Sequence, residues 1–465
     1  MIPVTIESGK NIALFGLGGS GMVTAQALMA GGANVTAYDD NRERVLSAEA
    51  AGIHTDNLRD VDFADFEMLV LAPGVPLTHP NPHWSVKLAK SASIEIVGDI
   101  ELFCRQRQHV AKKNSLIAIT GTNGKSTTTA LISHVLENAG RKVEMGGNIG
   151  RAVLDFDAFD DDVIYVVEVS SYQIDLSPGL NADIGILLNV SPDHLDRHGT
   201  MANYAAIKES LVAKAKAAII GVDDEYCAAA ADRLQSLGGD VTRVSVHHNL
   251  EAGVYADGDQ LYRADDEGRR KIADLGAIGS LRGFHNAQNA CVAWMACAKC
   301  GLNEAEIQAG LSNFPGLIDR MEELGSVGNV LIVNDSKGTN ADATDMALGS
   351  FDRIYWIAGG LAKEGGIEPL KHHFGKIVKA YLIGEAAPNF AGTLGENVEF
   401  EISETLDKAL VHALEDARAD ETPEPVILMS PACASFDQFS SYAERGRYFR
   451  ELVGQIDGFR VRETS

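Results

Sequence analysis

A short apolar run, a turn of small polar residues and a helix-like segment recur along most of this 465-residue chain. The runs NIALFG, SLIAITG, VIYVVEVS and VILMSP are examples. Alternation of this kind is typical of βαβ units, in which parallel strands are covered on both faces by helices. Ligands of such sheets bind beyond the carboxyl ends of the strands, and nearly every polar motif of this chain follows such a run. The sequence therefore predicts an α/β protein with its sites at strand ends.

Two breaks in this pattern indicate where domains meet. The segment ELFCRQRQHVAKKN leads into a new first strand near residue 104, and GLSNFPG ends near residue 316. A chain of this length favours about three domains. We therefore predict domains at 1–104, 105–316 and 317–465, each with a mainly parallel sheet flanked by helices. Within the second domain, GVYADGDQLYR predicts a β-hairpin that turns at Asp257 and Gly258.

Composition limits the kinds of partner. The formal net charge of −25 argues against nonspecific binding to nucleic acid or to an anionic membrane. The N-terminus lacks a basic segment followed by a long apolar one, and no run approaches about 18 apolar residues. We therefore expect neither a signal peptide nor membrane insertion. The six cysteines form no disulfide framework, which favours a reducing, cytoplasmic location.

Three of the cysteines, Cys291, Cys297 and Cys300, are close together in the segment CVAWMACAKC. They are candidates for a metal site, but the sequence offers no fourth ligand at a matching spacing. We expect instead that they are small thiols packed on an apolar helix.

The segment GTNGKST, from Gly121 to Thr127, lies between a strand-like and a helix-like run. In this order the backbone N–H groups can hold phosphates, Lys125 can bridge the β- and γ-phosphates, and Ser126 can ligate Mg²⁺. The full phosphate-loop pattern has a further glycine where this chain has Ile119. The segment predicts the use of a nucleoside triphosphate, but it does not identify what accepts the phosphoryl group.

A second glycine-rich turn, from Gly16 to Gly21, follows the first strand and begins a helix. Its glycines permit a tight turn and close approach of the backbone to a diphosphate. Asp39 ends the next strand and is a candidate acceptor for a ligand hydroxyl or base edge, and Ala72-Pro73-Gly74 follows a third strand. The turn is compatible with a dinucleotide, with another nucleotide, or with no ligand at all.

Two strand ends supply candidate metal ligands. Glu168 closes the apolar run VIYVVEVSS, where a carboxylate is costly unless a cation pairs with it. His194 lies between Asp193 and Asp196 after another strand, and a purely structural role is the alternative. Lys208 lies in a helix-like segment, where local sequence alone favours an ordinary solvated lysine.

Two polar loops follow strands in the last third of the chain. One carries Asp335, Ser336, Lys337, Thr339 and Asn340, and the other carries Ser430, Ser435, Phe436 and Tyr442. Two such loops in one domain favour a small-molecule pocket, although turns and helix N-caps alone would also account for them. Cys433 has no nearby base in the sequence that would support a role as a nucleophile.

Taken together, these motifs resemble those of the Mur ligases of peptidoglycan synthesis. The matching segments are TGTNGKST, GGNIG with Asn148, EVSSYQ, NVSPDHLDRH with Lys208 downstream, GFHNAQN and NDSKGTN. They span essentially the whole chain in the expected order. The segments SPACASFDQF and LVLAPGVPLTHP are most similar to those of members that add D-glutamate to UDP-N-acetylmuramoyl-L-alanine.

The resemblance implies a Rossmann-like domain for the UDP-sugar, a P-loop-like ATPase domain for ATP and a second Rossmann-like domain for the incoming amino acid. For ATP it implies Gly121, Thr122, Asn123, Gly124, Lys125, Ser126, Thr127, Asn286, Asn289, Arg320 and Asp335. For the UDP-linked substrate it implies Gly19, Ser20, Asp39, Asp40, Ala72, Pro73, Gly74 and Asn148. For D-glutamate it implies Thr339, Lys363, Ser435, Phe436 and Tyr442.

The resemblance also implies a chemistry. ATP phosphorylates the carboxylate of the UDP-linked substrate, and the amine of D-glutamate then attacks the acyl phosphate. Catalytic roles fall to Lys125, His194 and Lys208, of which Lys208 is implied to be N-carboxylated by CO₂. Two Mg²⁺ ions are implied, with Ser126, Glu168, His194 and the modified Lys208 as ligands. We expect a monomer.

The chain departs from the family pattern at two places. The segment GLIDRME has Ile318-Asp319 where a Pro-His pair is expected before the arginine, which leaves the conformation of that loop open. Asn41 stands where some relatives carry an arginine near the uracil, so the uridine contacts there are open as well.

Other functions remain as alternatives. A sibling ligase would add another amino acid, and a folylpolyglutamate-synthase-like enzyme would act on another acceptor. The first glycine turn alone would also fit an NAD-dependent oxidoreductase, which has no need of the phosphate loop. A nucleotide-gated binding protein without turnover would not need the set of Glu168, His194 and Lys208.

Overall fold

The computed structural model describes residues 1–110, 113–363 and 365–461, which form two compact units. The first unit contains the described residues of Met1–Ala273 together with Gln288–Leu311. The second contains Asp274–Ala287 and the described residues from Ser312 onward. Three mainly parallel sheets follow one another along the chain, each flanked by helices. The prediction of an α/β fold with three such sheets is confirmed.

The first sheet and its helices consist of β1 (Asn11–Phe15), α1 (Gly19–Ala30), β2 (Asn34–Tyr38), α2 (Arg42–Ala50), β3 (Met68–Leu71), α3 (Trp84–Ser91), β4 (Glu95–Val97) and α4 (Asp99–Val110), with short 3-10 helices at Thr5–Glu7 and Phe63–Asp65. The strands are parallel and lie in the order β2-β1-β3-β4. The four residues of β3 are all buried, as expected for a strand covered on both faces.

The second sheet is the largest. Its elements are β5 (Ser115–Thr120), α5 (Lys125–Asn138), β6 (Lys142–Gly147), β7 (Val163–Glu168), α6 (Ser171–Asp175), β8 (Ile184–Leu187), α7 (Leu195–His198), α8 (Met201–Ala213), β9 (Ala217–Gly221), α9 (Glu225–Ser236), β10 (Val241–Ser245), β11 (Gly253–Asp257), β12 (Gln260–Asp265) and β13 (Gly268–Asp274), with 3-10 helices at Val153–Asp155 and Gly279–Leu281; α10 (Phe284–Lys299) and α11 (Glu304–Ser312) follow. The strand order is β13-β12-β11-β10-β9-β8-β5-β7-β6, which puts β5, and the loop that follows it, between β7 and β8.

The third sheet belongs to the second unit. Its elements are β14 (Glu322–Val327), β15 (Val330–Asn334), α12 (Ala341–Gly349), β16 (Ile354–Gly359), a 3-10 helix (Glu368–Lys376), β17 (Ile377–Ile383), α13 (Ala387–Leu394), β18 (Glu399–Glu404), α14 (Leu406–Arg418), β19 (Val426–Met429), α15 (Tyr442–Gly454) and β20 (Phe459–Val461). The strand order is β18-β17-β16-β19-β15-β14-β20. Strand β14 lies between β15 and the edge strand β20 and runs antiparallel to both, and the five strands from β18 to β15 are parallel to one another.

Two local predictions can be compared with these elements. The hairpin is confirmed, because β11 and β12 pair antiparallel with Asp257 opposite Gln260, but its turn consists of Gly258 and Asp259, one residue later than predicted. The domain boundaries near residues 104 and 316 stay predictions. Helix α4 runs across residue 104, and the first two sheets lie within one compact unit.

The helices and two of the cysteines bear on the predictions about membranes and metal binding. Within the described parts of the chain, every helix is too short or too polar to span a bilayer. Cys291 and Cys297 are fully buried in the core of α10, and burial raises the pKa of both thiols. These two side chains act as small apolar groups in the interior.

Candidate active site

The phosphate-loop segment forms the turn between β5 and α5. Gly124 precedes the first residue of α5 with φ +83°, and a Cβ there would lie 2.6 Å from Asn289 Oδ1. Among the described side chains none caps the start of α5, so the N–H groups of its first turn are open to an anion. The loop therefore has the backbone geometry of a phosphate site, even though Ile119 replaces the first glycine of the pattern.

The side chain of Lys125 lies across this loop. Its Nζ donates to the carbonyl oxygens of Gly121 at 3.0 Å and Thr122 at 2.8 Å. The ammonium group is therefore held beside the turn where phosphates would bind. Ser126 is buried in the first turn of α5, and its role as a Mg²⁺ ligand stays a prediction.

Neighbouring strand ends hold the loop in place. Asn189, just beyond β8, accepts from Asn123 N at 2.8 Å and donates from Nδ2 to Asn123 O at 3.2 Å. Asn289 Oδ1 accepts from Thr128 Oγ1 at 3.0 Å, which places this predicted ATP contact against the loop. The role of Asn189 was missed by the sequence reasoning, although its position at the end of the apolar run IGILLNV was a signal.

Lys208 is a buried residue of α8, only 1% exposed, and not the solvated lysine that its local sequence favours. Its Nζ donates to Gly121 O at 2.6 Å and lies 4.7 Å from the centroid of the Tyr204 ring. Burial and the nearby charge of Lys125 lower its pKa well below the ordinary value, although Asp193 and Glu168 oppose this shift. The structure thus brings an amine of unusually low basicity to the phosphate loop.

Glu168 is a second buried charge near the loop, at the carboxyl end of β7. Its Oε1 accepts from Asn148 Nδ2 at 2.8 Å, and its Oε2 accepts no hydrogen bond from any described residue. A buried carboxylate oxygen without a donor is costly unless a cation compensates it. Asn148, which we predicted to contact the UDP-linked substrate, orients this carboxylate.

The predicted ligand His194 lies at the surface. Its backbone adopts a left-handed conformation with φ +53°, its side chain is 48% exposed, and its Nε2 lies 3.2 Å from Asp193 Oδ2. Among the described residues, no trio of His, Cys, Asp or Glu that includes Glu168 or His194 brings its ligand atoms within 4.8 Å of one another. A metal site at Glu168, His194 and Lys208 therefore stays a prediction.

His198, which the sequence reasoning missed, is the buried histidine of this region. Its Nε2 lies 2.9 Å from Ser171 Oγ, and its ring packs against those of Tyr172 and Tyr204. Burial and the nearby positive charges lower its pKa to about 4. His198 is therefore neutral at pH 7 and orders the helices α6 and α8 around Lys208.

The first glycine turn is tight, as predicted. A Cβ on Gly16 would lie 2.5 Å from the Cβ of Ala72, so the β1 and β3 loops approach closely. Asp39 Oδ2 accepts from Leu17 N at 2.7 Å and Oδ1 accepts from Asn41 N at 2.8 Å. The Asp39 carboxylate thus stabilises the turn through hydrogen bonds from two backbone N–H groups. Gly19 and Ser20 lie in the first turn of α1, where an anion would be stabilised.

Asp40 belongs to a polar and aromatic cluster that the sequence reasoning did not detect. Its two oxygens lie 3.0 Å from Arg59 Nη2, 3.2 Å from His83 Nε2 and 3.4 Å from Trp84 Nε1. Burial alone would raise the pKa of Asp40, but these contacts hold it below the ordinary value. The Arg59 guanidinium covers the Trp84 ring at 4.1 Å.

Asn41 caps α2 through its Oδ1, which is the role of this departure from the family pattern.

The loop after β3 contacts the loop that carries His194 and His198. Arg197 donates to the carbonyl oxygens of Gly74 at 2.9 Å and Val75 at 3.0 Å, and more weakly to Pro73 at 3.4 Å. Its guanidinium also lies 4.5 Å from the centroid of the Tyr172 ring. The predicted Ala72-Pro73-Gly74 segment is thereby joined to the end of the second sheet.

In the second unit, Asp335 is a buried carboxylate at the end of β15. It accepts from Ser430 Oγ at 2.7 Å and from Met321 N at 3.1 Å, and burial raises its pKa to about 6. Arg320 Nε is buried and has no hydrogen-bond partner among the described residues. Asn286 donates to Arg282 O at 2.9 Å, at the start of α10.

The departure Ile318-Asp319 has a structural explanation. Asp319 is buried with φ +62°, and its Oδ1 accepts from Asn334 Nδ2 at 3.0 Å and Arg450 Nη1 at 2.7 Å. Lys337 N donates to Asp319 O at 2.9 Å. The aspartate therefore fixes the loop before Arg320 and joins it to the loop that follows β15.

The candidate amino-acid loops meet at Arg445, which is buried in α15. Its Nε and Nη2 donate to Ser336 Oγ and O, and Nη2 also donates to Cys433 O. Burial lowers its pKa to about 10. Of the residues predicted to bind D-glutamate, Ser435 is buried, and its Oγ has no hydrogen-bond partner among the described residues. The side chain of Thr339 is partly buried, and the exposed ones are Lys363, Phe436 and Tyr442.

Comparison with known proteins identifies the family of the chain. The sequence model of the Mur ligase middle domain matches residues 119–297. A UDP-N-acetylmuramoylalanine–D-glutamate ligase of Chelativorans sp. (strain BNC1) is 60% identical, over 99% of both chains. One of Mesorhizobium japonicum is 59% identical over 98% of both. The structure of UDP-N-acetylmuramate–alanine ligase from Thermotoga maritima covers 95% of this chain and 98% of its own with a TM-score of 0.56; at 17% identity this likeness concerns the fold.

Proposed function

Because the chain belongs to the Mur ligase family, among its UDP-N-acetylmuramoylalanine–D-glutamate ligases, we propose that it adds D-glutamate to UDP-N-acetylmuramoyl-L-alanine with consumption of ATP. The product is a precursor of peptidoglycan. An enzyme that uses ATP and UDP-linked precursors works in the cytoplasm, and the free cysteines agree with a reducing compartment.

The observation that carries this proposal is the pair formed by the phosphate loop and Lys208. A carboxylate is a poor acyl donor, so amide synthesis requires that it first be activated by phosphorylation. Lys125 lies across the loop, and its charge neutralises the phosphates as the carboxylate attacks the γ-phosphorus. An oxidoreductase would have no use for the phosphate loop, and a nucleotide-gated binding protein without turnover would have no use for Lys208 beside it.

We assign Lys208 as the residue that is N-carboxylated. A low pKa leaves a larger share of its side chain as the neutral amine, whose lone pair attacks CO₂. A bond forms between Nζ and carbon, and one proton leaves, which gives a carbamate anion. The modified side chain then carries oxygen ligands and a negative charge close to the phosphate loop.

We further propose that ATP acts with two Mg²⁺ ions. The donor set fits, because Ser126, Glu168 and a carbamate on Lys208 offer hard oxygen ligands, and Glu168 Oε2 is buried without a described partner. His194 would join this set only after its ring leaves Asp193. Bound Mg²⁺ would neutralise phosphate charge and orient the γ-phosphoryl group.

The remaining assignments divide between the two units. In the first unit we assign the UDP end to the turn at Gly19 and Ser20, to Asp40 and to the Ala72–Gly74 loop, and ATP to the phosphate loop with Asn289. In the second unit we assign nucleotide contacts to Asn286, Arg320 and Asp335. We assign the amine substrate to Thr339, Lys363, Ser435, Phe436 and Tyr442. The enzyme is proposed to act as a monomer.

A panel of amino acids tests the proposal. The full-length protein is incubated with ATP, Mg²⁺, UDP-N-acetylmuramoyl-L-alanine and one amino acid at a time, and phosphate release is measured. We expect release with D-glutamate and none above background with L-glutamate, L-alanine or meso-diaminopimelate. Turnover with a different amino acid would assign the chain to a sibling activity. Turnover with a folate acceptor and L-glutamate would replace the proposal altogether.

A further inference from the structure

Three side chains of the second unit converge at a place that the proposed reaction does not use. Asp345 lies in α12, and His372 and His373 lie in the 3-10 helix Glu368–Lys376. One ligand atom of each residue lies within 4.8 Å of those of the other two, and no other His, Cys, Asp or Glu trio does this in the described parts of the chain. We propose that these three residues bind a divalent transition metal ion of the Zn²⁺ type.

The distances suit such an ion. Asp345 Oδ1 lies 2.9 Å from His372 Nε2 and 3.1 Å from His373 Nε2. When a tetrahedral ion binds nitrogen and oxygen at about 2.0–2.1 Å, neighbouring ligand atoms are about 3.3 Å apart. The two imidazole rings lie side by side, with centroids 4.0 Å apart, so both Nε2 atoms point to the same carboxylate. Small rotations of the side chains would complete the geometry.

The other nitrogen of His372 gives a second, independent indication. Its Nδ1 lies 2.9 Å from the carbonyl oxygen of Pro369, and a carbonyl oxygen only accepts, so Nδ1 carries a proton. In the neutral ring, Nε2 then presents a lone pair to the carboxylate of Asp345 at 2.9 Å. Two lone pairs at this distance repel unless a cation lies between them, either a proton on Nε2 or a metal ion. Metal-bound histidines are typically oriented by this type of N–H contact to a carbonyl.

The chemistry of the ligands selects the class of ion. Two imidazoles with one carboxylate favour Zn²⁺, Ni²⁺, Co²⁺ or Cu²⁺ over Mg²⁺, which prefers oxygen ligands only. The side chain of His372 is 61% exposed and that of Asp345 40%, so an ion can enter from solvent and keep a water as its fourth ligand. The site is thus distinct in composition from the proposed Mg²⁺ ligands of the first unit.

Helix α12 connects the proposed metal site to one of the candidate substrate loops of the second unit. Helix α12 follows directly on the loop that carries Asp335 and Thr339, with Asn340 as its N-cap. Thr344 precedes Asp345 in α12, and its Oγ1 lies 3.0 Å from Ser430 Oγ. Ser430 Oγ also donates to Asp335 Oδ2. A bound ion would fix α12 to the 3-10 helix and so reduce the motion of this loop. The metal site itself does not depend on the proposed ligase activity.

Calorimetric titration of the full-length protein tests the site. The protein is freed of metal with a chelator, placed in excess Mg²⁺ to occupy oxygen-ligand sites, and titrated with Zn²⁺. We expect one equivalent to bind, and we expect His372→Ala and Asp345→Asn each to weaken binding by more than about 100-fold, since loss of an orienting contact alone costs 10–100-fold. Both residues are partly exposed, so the variants should fold, which circular dichroism checks.

The chain offers a matched control in another adjacent histidine pair, His247 and His248 of the first unit. The double variant His247→Ala/His248→Ala should bind Zn²⁺ as the wild type does. With Co²⁺ in place of Zn²⁺, the wild type and this control should show visible absorption of a tetrahedral ion, which His372→Ala should lose. The proposal is overturned if the wild type binds no stoichiometric Zn²⁺, if His372→Ala and Asp345→Asn bind it unchanged, or if the control loses it.

Discussion

Lys208 and His198 are both basic side chains that the fold holds away from water. Burial favours the neutral form of each, and it lowers the pKa of His198 to about 4. For Lys208 the shift favours the neutral amine that the proposed N-carboxylation requires, and for His198 it favours an uncharged imidazole that packs between tyrosine rings. The protonation state that the surroundings impose on each residue can be tested separately.

The first prediction concerns Lys208. Replacement by alanine removes the proposed carbamate, so we expect kcat for ADP formation to fall by at least about 100-fold, the effect of losing one oriented electrostatic group. Added acetate should partly restore the rate, because a small carboxylate can occupy the space left by the carbamate. Lys214→Ala, at the exposed end of the same helix, should keep its activity. An unaltered rate in Lys208→Ala would remove the carbamate from the mechanism.

The second prediction concerns stability against pH. Between about pH 6.5 and pH 4 an unfolded histidine binds a proton that folded His198 does not. Protonation therefore favours the unfolded state, and the free energy of unfolding decreases as the pH is lowered through this range. His198→Gln cannot titrate and can still contact Ser171. The loss of unfolding free energy between pH 7 and pH 4.5, measured with urea, should therefore be smaller in the variant than in the wild type. Equal losses would show that His198 does not titrate in this way.

At the scale of the element, the turn from β5 into α5 depends on a backbone that only glycine adopts easily. The third prediction is that Gly124→Ala abolishes detectable ATP binding in a fluorescent-nucleotide titration. Its methyl group would lie 2.6 Å from Asn289 Oδ1, and φ is +83°. Gly140 follows the other end of α5 with a similar φ of +74° and open space around it. Gly140→Ala should cost some stability but leave ATP binding intact; if both variants bind ATP equally, steric contact at Gly124 is not the reason for its presence.

The loop before β14 is the second element that depends on one side chain. The fourth prediction is that Asp319→Ala raises the KM for ATP and lowers the free energy of unfolding by about 2 kcal/mol, because Arg450 and Asn334 lose a shared buried acceptor. Steady-state kinetics and urea unfolding measure the two effects. Arg447→Ala, an exposed residue of the same helix as Arg450, should change stability by less than about 0.5 kcal/mol. An unchanged KM in a destabilised Asp319→Ala protein would limit Asp319 to a structural role.

At the scale of the whole molecule, the hydrophobic pattern was sufficient to predict the sheets and to place the candidate residues at strand ends. Runs such as SLIAIT and VIYVVE are buried strands, and the polar segments after them lie at strand ends. This works because burial on both faces imposes a continuous apolar run on each strand. Strand β14, next to the edge strand β20, is the exception, since it is only partly buried and pairs antiparallel, so its sequence carries a weaker signal.

Contacts between residues far apart in sequence could not be predicted. Asp40 meets Trp84 across 44 positions, and Ser171 meets His198 across 27. The burial of Lys208 depends on how α8 packs against the strand end at Thr120 and Gly121, which the local pattern of that helix does not encode. Local sequence specifies the elements, whereas the site arises from their packing.

The contacts of Arg197 have a consequence for the choice of substrate. They join the loop after β3 to the segment that carries His194 and His198, and both segments lie within a single compact unit. If the UDP end binds at Gly19 and ATP binds at the phosphate loop, as proposed, the acid must span the distance between these two places for its carboxylate to arrive beside the γ-phosphate. The distance between the two places would then select substrates by length. An analogue one bond longer or shorter would bind through its uridine end, but its carboxylate would remain unphosphorylated.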